Sequence, residues 1–128
     1  MKVEPVSPGP WVSEHLRAIP LDVYPQAERD DDLKKGVVFS INDRAAVAVL
    51  RYEAGILWCK ALAGRVGGVV ALQYFTGFIE RMAQAMQARG IAMDTARPVI
   101  ADVLRRAGYV AQASTNDARA NKHFYKRV

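Results

Sequence analysis

Residues 56–89 constrain the fold more than any other stretch of the chain. They open with an apolar, strand-like run, Ile56–Leu62, pass through a cluster of glycines, and continue in a long segment that starts at Val69 or Val70 and extends to Arg89. In this last segment apolar side chains recur at steps of three and four residues, the pattern of an amphipathic helix packed on a sheet. The sequence therefore predicts a strand, a tight turn and a helix in direct succession.

The turn itself contains Gly64, Gly67 and Gly68. Glycine permits tight backbone turns and leaves amide N–H groups uncovered. A helix start adds unpaired N–H groups and the positive end of the helix dipole, so the turn predicts a seat for phosphate or pyrophosphate. A plain strand-to-helix turn explains the same glycines. The spacing matches neither a P-loop nor the G-x-G-x-x-G dinucleotide motif, which excludes those two kinds of site.

The composition predicts a single domain spanning residues 1–128. Hydrophobic residues make up 51% of the chain, which is enough for a packed core. No apolar run approaches the roughly 20 residues that a membrane helix requires, and the proline-containing N-terminus does not resemble a secretory signal. The lone cysteine, Cys59, excludes an internal disulfide and a multi-cysteine zinc site. We therefore expect a cytoplasmic protein without a membrane segment.

The charged residues suggest no dedicated partner. The net charge of +5 is a modest excess, so nucleic acid is not expected to be the main partner, although the C-terminus places Lys122, Lys126 and Arg127 near aromatic residues. Three consecutive aspartates, 30–32, are expected to form a solvated helix face, since their side chains point in different directions. His15 and His123 show no metal-ligand spacing, and we expect no metal.

The remaining elements follow from turn residues and apolar periodicity. The predicted strands are 2–6, 37–41, 45–52, 56–62, 91–93, 109–111 and 122–128, and the predicted helices start near Pro10, Pro25, Val69 and Pro98. Residues 112–121 are polar and predict a long loop or hairpin. The apolar content of Ile56–Leu62 predicts burial of that strand on both faces.

This order of elements resembles the GNAT superfamily, the GCN5-related N-acetyltransferases, along essentially the whole chain. The turn Arg65-x-x-Gly68-x-Val70 is similar to the family's R/Q-x-x-G-x-G/A turn, which holds the pyrophosphate of acetyl-coenzyme A. The segment 97–109 is similar to the family's N-P-R-A-x-x-F-Y-E-K-x-G-F segment. In that segment Pro98, Gly108 and Tyr109 match its proline, glycine and phenylalanine.

The resemblance implies a mixed α/β fold, with a central, mainly antiparallel sheet flanked by helices on both faces. It also implies an N-acyltransferase that uses acetyl-coenzyme A and an unidentified amine acceptor. The cofactor contacts that it implies are Leu62, Arg65, Val66, Gly67, Gly68, Val69, Val70 and Arg97.

The chain departs from the family pattern at three positions. Val70 stands where glycine or alanine is usual, Arg97 replaces an asparagine, and Leu104 replaces a tyrosine that often protonates the leaving thiolate. The alternative is therefore a catalytically inactive GNAT-like interaction or structural module, of the kind that phages carry. A protein partner or a homo-oligomer stays open.

Three side chains are candidates for chemistry. They are Cys59 as a nucleophile and His123 or Tyr125 as groups that assist proton transfer. For each of them a packing role is the alternative, since a buried thiol is inert and strand residues commonly serve the core or the surface.

Overall fold

The computed structural model describes residues 1–95, 97–112 and 122–128. Over these residues the chain is a mixed α/β protein with a mostly antiparallel sheet of seven strands and four helices, which confirms the predicted fold class. The elements are β1 (Val3–Val6), α1 (Pro10–Leu16), α2 (Gln26–Lys35), β2 (Val37–Ile41), β3 (Ala46–Glu53), β4 (Ile56–Gly64), α3 (Val69–Ala85), β5 (Gly90–Thr95), α4 (Pro98–Arg106), β6 (Val110–Gln112) and β7 (Lys122–Arg127). The predicted loop of residues 112–121 lies outside the described residues except for Gln112, which ends β6.

The chain divides into two compact units. The first contains Met1–Arg51 and Cys59–Val66, and the second contains Tyr52–Trp58 and Gly67–Val128. Strand β4 contributes to both units. The single-domain organisation expected from the length stays a prediction.

In the first unit, β1, β2 and β3 form an antiparallel ladder. Val3 pairs with Ile41 across β1 and β2, and Val38 pairs with Val49 across β2 and β3. The β-branched residues of these strands favour a pleated, buried surface, and helices α1 and α2 contribute apolar side chains to it. The buried members of this core are Val12, Leu16, Tyr24, Val38, Val47, Val49, Ala61 and Ala63.

Strand β4 corrects one expectation. Its residues alternate between buried side chains such as Leu57 and Cys59 and half-buried ones such as Trp58 and Leu62. Burial on both faces was therefore a wrong prediction. Apolar content shows that a strand is buried, but it does not show whether one face or both are covered.

Asp32 overturns the expectation that all three aspartates lie on a solvated helix face. Its side chain is 1% exposed, accepts a hydrogen bond from the Tyr24 hydroxyl at 2.7 Å, and pairs with Arg51 at 2.9 Å. Burial, and then the Asp32 carboxylate, raise the pKa of Tyr24 far above its usual value. Asp31 is more exposed, and a hydrogen bond from Arg51 lowers the pKa of its carboxyl.

Arg29 is buried in the same region and joins α2 to the end of α1. Its guanidinium donates to the carbonyl of Tyr24 at 2.7 Å, to that of Leu16 at 2.6 Å, and to that of Ile19. Leu16 ends α1, whose last carbonyls have no intrahelical partner, and Ile19 and Tyr24 lie in the connection between α1 and α2. The charged residues of α2 therefore hold the first unit together.

In the second unit, β7 lies between β5 and β6 in antiparallel pairing. Asp94 and Gln112 both pair with His123, one from each side. Helices α3 and α4 pack on β5, and α4 also contacts β6 and β7. The large buried side chains of this unit are Phe75, Ile79, Ile91, Met93, Leu104 and Phe124.

Helix α3 begins at Val69, as predicted, but ends at Ala85 rather than at Arg89. Gln87 adopts a φ of +57°, a left-handed conformation that an α-helix cannot continue through. The amide of Ala88 then donates to the carbonyl of Ala83 at 2.9 Å, which closes the end of the helix. The predicted end was wrong because it relied on Gly90 as the stop, whereas the left-handed residue that ends the helix is Gln87.

Gly36, between α2 and β2, supplies a test of the packing in the first unit. A Cβ atom there would lie 2.6 Å from the carbonyl oxygens of both Asp32 and Leu50. We expect Gly36→Ala to lower the free energy of unfolding by about 2 kcal/mol, since overpacking costs ~1–3 kcal/mol. Urea denaturation measures this, with Gly68→Ala as control because a Cβ at Gly68 meets nothing within 4 Å. Equal stability of the two variants would contradict the packing at Gly36.

Candidate functional site

The glycine turn has the backbone geometry that its sequence predicts. Gly64 and Gly67 adopt φ values of +98° and +120°, which residues with a Cβ rarely reach. A Cβ on Gly64 would also lie 2.6 Å from the carbonyl oxygen of Ala45. The amide of Arg65 donates to that same carbonyl at 2.8 Å, which fixes the beginning of the turn.

The start of α3 is exposed and carries no side-chain cap. Gly68 is the N-cap residue in an extended conformation, and its carbonyl accepts from the amide of Leu72 at 3.1 Å. Residues 67–70 are all exposed, and the side chain of Val70 is 79% exposed. The first amides of a helix have no intrahelical acceptor, and no side chain caps these. The turn therefore presents N–H donors and the positive end of the helix dipole to an anion.

The other positions that the resemblance implied for the cofactor lie on different elements. Leu62 is half-buried on β4, and the side chain of Val66 is buried. Arg97 is the N-cap residue of α4, has an exposed side chain, and donates its backbone amide to Thr95 Oγ1 at 3.1 Å. Only the segment from Arg65 to Val70 is one continuous turn.

Leu104 is fully buried, at 0% exposure, among the core residues of the second unit. Its aliphatic side chain has no proton to transfer. The position that carries a tyrosine in the resembled family thus serves packing in this chain.

The three candidates for chemistry have different surroundings. Cys59 is buried on β4, and its thiol contacts the carbonyl of Ala61 at 3.7 Å. Its burial favours the packing role over that of a nucleophile, which must reach a substrate. His123 and Tyr125, two residues apart on β7, line one pocket in the second unit.

This pocket has a volume of about 230 Å³. Its lining consists of Ile56, Trp58, Arg89, Ala92, Gln112, His123 and Tyr125. Nδ1 of His123 lies 2.5 Å from Oδ1 of Asp94, and the His123 ring is 5.5 Å from the ring of Trp58. Sequence reasoning missed Asp94, because only the register of β5 on β7 brings it beside His123.

Two other features are absent from the part of the chain that the structure describes. No group of three or more histidine, cysteine, aspartate or glutamate side chains among them is placed to hold a metal ion. None of the helices in the described ranges is long and apolar enough to cross a membrane.

The chain matches known proteins by its structure and not by its sequence. No protein-family model matches the sequence, and no curated protein matches it. Several solved structures do match. A Bacillus subtilis acetyltransferase in complex with CoA has a TM-score of 0.72 and 15% identity, over 99% of this chain and 98% of that one.

Two other solved structures agree with the first. An IAA acetyltransferase from Bacillus cereus has a TM-score of 0.66 and 10% identity, over 99% of both chains. A GNAT-family acetyltransferase from Listeria monocytogenes has a TM-score of 0.60 and 11% identity, over 98% of this chain and 95% of that one. The chain therefore has the GNAT fold, as the resemblance in its sequence predicted.

Proposed function

We propose that the protein is a GNAT-type N-acyltransferase that transfers the acetyl group of acetyl-coenzyme A to an amine. One observation supports this proposal more strongly than any other. The α3 N-terminus is exposed, has no side-chain cap, and follows a turn in which Gly64 and Gly67 hold left-handed conformations. This helix start occurs in a fold that is similar to that of the Bacillus subtilis acetyltransferase, which was solved in complex with CoA.

In this proposal the amides of residues 67–70 bind the pyrophosphate of the cofactor. Several backbone donors at a helix start match the several oxygens of a diphosphate, and the dipole favours the negative charge. Arg65 adds a cation at the turn, and Arg97 adds a second on α4. Val69, which is exposed at the start of α3, supplies apolar surface beside the pyrophosphate.

The chemistry of acyl transfer from a thioester depends largely on holding the amine and the thioester together. A general acid normally contributes about 10²–10⁴-fold, and Leu104 supplies none. The leaving thiolate then takes its proton from the reacting amine or from water. Val70 also crowds the pyrophosphate more than glycine or alanine would. We therefore propose slow turnover with generic amines.

The second candidate is a GNAT-like interaction module without catalysis, acting through a protein partner. Leu104 favours this candidate, because a fully buried leucine cannot donate a proton to a leaving thiolate. In both candidates the protein acts in the cytoplasm, and nucleic acid is not the main partner, because the charge excess of +5 is modest.

Release of free coenzyme A thiol, followed with a thiol reagent, tests the two candidates against each other. With acetyl-coenzyme A and a panel of polyamines, peptides and aminoglycosides, we expect amine-dependent release that is slow but above the rate without protein. Fast turnover would contradict the expectation that the reaction is slow because Leu104 supplies no general acid. If a protein that binds coenzyme A releases no thiol with this panel or with small amines that carry an anionic group, the enzyme is retired and the interaction module is left.

A further inference from the structure

The pocket in the second unit lies on the sheet face that α3 and α4 leave uncovered. Side chains alternate along a strand, so Ile91 and Met93 on β5 point to the helices and are buried. Asp94 is on the opposite face, where the antiparallel register places it beside His123. Tyr125, two residues further along β7, shares that face.

Asp94 and His123 form a pair in which the carboxylate orients the imidazole. Nδ1 donates to Oδ1 of Asp94 at 2.5 Å, which leaves the lone pair of the neutral ring on Nε2. Nε2 makes no hydrogen bond to another residue in the described part of the chain. The side chain is 23% exposed and its ring contacts Trp58. A partly exposed, oriented imidazole of this kind can accept a proton from a bound amine.

The opposite end of the pocket is cationic. Arg89 lines it, and its position is fixed because Nη2 donates to the carbonyl of Ala54 at 2.6 Å and the backbone amide donates to that of Gly55 at 2.7 Å. Among the described residues that line the pocket none is a carboxylate; Asp94 contacts His123 but is not itself part of the lining. Flat and apolar side chains, Ile56, Trp58 and Tyr125, form the wall between the two ends.

The distance between the two ends limits the acceptor. Asp94 and Arg89 are five positions apart, which corresponds to a backbone distance of about 16 Å at ~3.3 Å per residue. The gap between the imidazole of His123 and the guanidinium of Arg89 is shorter, because both side chains line the pocket. The volume of about 230 Å³ is also below the ~300 Å³ at which sites for larger ligands begin. A small molecule with its amine and its anion separated by one ring matches both limits.

We propose that this pocket holds the acceptor: a small primary amine with a flat apolar body and an anionic group at its far end, deprotonated by His123. The proposal rests on the proposed acetyl transfer. Because α3 packs on β5 and only residues 86–89 join them, the two run in opposite directions. The start of α3 and Asp94 therefore lie toward the same end of this unit.

Nε2 of His123 takes one proton from the acceptor's ammonium group, and the free amine attacks the thioester carbonyl carbon of acetyl-coenzyme A. The C–N bond forms and the C–S bond breaks. The second proton of the nitrogen passes to the leaving thiolate, which departs as the thiol, and His123 returns its proton to water. Polycations such as polyamines and aminoglycosides are poor acceptors here, because Arg89 repels them.

Three acceptors of matched size test the proposal: 4-(aminomethyl)benzoate, benzylamine without the anion, and agmatine with a second cation. We expect kcat/KM to be highest for 4-(aminomethyl)benzoate, by about 10-fold over benzylamine, the effect of one charge-assisted hydrogen bond of ~1.5 kcal/mol. Arg89→Gln is expected to remove this preference, and Arg89→Lys to keep most of it. Arg106→Gln is the control, because that exposed arginine pairs with Asp102 on α4 and does not line the pocket.

His123→Gln separates chemistry from binding. We expect kcat to fall by about 100-fold or more, within the range of general base catalysis, while KM for 4-(aminomethyl)benzoate changes by less than about threefold. An unchanged kcat in the folded variant, or a preference of the wild type for agmatine, would overturn the proposal.

A measurement independent of turnover tests the pocket itself. Titration with 4-(aminomethyl)benzoate is expected to shift the NMR signals of the Trp58 indole and the His123 ring, with those of Trp11 and His15 as internal controls. Shifts of the controls alone, or none at all, would overturn the proposal. Coenzyme A that fails to bind in calorimetry would instead overturn the proposed acetyl transfer, whatever the pocket binds.

Discussion

Replacing Asp32 with asparagine is expected to lower the free energy of unfolding by about 3 kcal/mol, the lower end of the effect of breaking a buried ion pair. The substitution removes a carboxylate that is 1% exposed and holds Arg51 at 2.9 Å, with Lys60 at 3.9 Å. Arg51 and Lys60 are themselves largely buried and keep their closer partners, Asp31 at 2.7 Å and Glu28 at 3.0 Å. The variant therefore removes the one fully buried carboxylate of the network and leaves its positive charge in excess. An asparagine also presents an amide where Tyr24 now donates to a charged oxygen.

Asp30→Asn is the matched control for this prediction. Asp30 lies two positions earlier on α2, is exposed, and accepts a hydrogen bond from Gln26 at 2.8 Å. Exposed substitutions usually change stability by less than about 0.5 kcal/mol. Urea denaturation with a common slope measures both variants. If Asp32→Asn and Asp30→Asn were equally stable, the Asp32 network would contribute nothing to the first unit.

Replacing Gly68 with leucine is expected to weaken binding of coenzyme A by about 100-fold without unfolding the protein. The side chain would stand over the amides at the start of α3, and losing two hydrogen bonds to a charged group costs ~3 kcal/mol. Gly68 is suited to this test because its φ is −82° and a Cβ there meets nothing within 4 Å. Gly67 is not, since its φ of +120° would strain any replacement.

The control is Gln73→Leu, which places the same side chain on an exposed position of α3 one turn further on. Calorimetry with coenzyme A measures the dissociation constant of both variants, and circular dichroism verifies their folding. Unchanged affinity for coenzyme A in a folded Gly68→Leu protein would contradict the binding of the pyrophosphate at this turn.

Local sequence signals predicted much of the fold. Val37–Ile41 is a strand with the predicted bounds, because β-branched residues between Gly36 and a turn determine it locally. Helices α3 and α4 begin at Val69 and Pro98 as predicted, since glycine and proline mark helix starts through their backbone geometry. The glycine turn was likewise predicted from its sequence.

What the sequence did not reveal depends on residues far apart in the chain. Asp32 reads as one of three solvated aspartates, and its burial follows only once Tyr24 and Arg51 are placed around it. Asp94 and His123 are 29 positions apart, and strand register alone brings them together. No motif in the sequence marks a pair of this kind, because hydrophobic periodicity reports which side of a strand a residue is on and not its neighbour.

Calorimetric titration of the wild-type protein with acetyl-coenzyme A and with free coenzyme A tests the central claim most directly. We expect saturable binding of both ligands, with one site for each chain, that Gly68→Leu weakens and Gln73→Leu does not. The absence of binding by either ligand to the folded wild-type protein would contradict the claim that this GNAT fold carries a coenzyme A site.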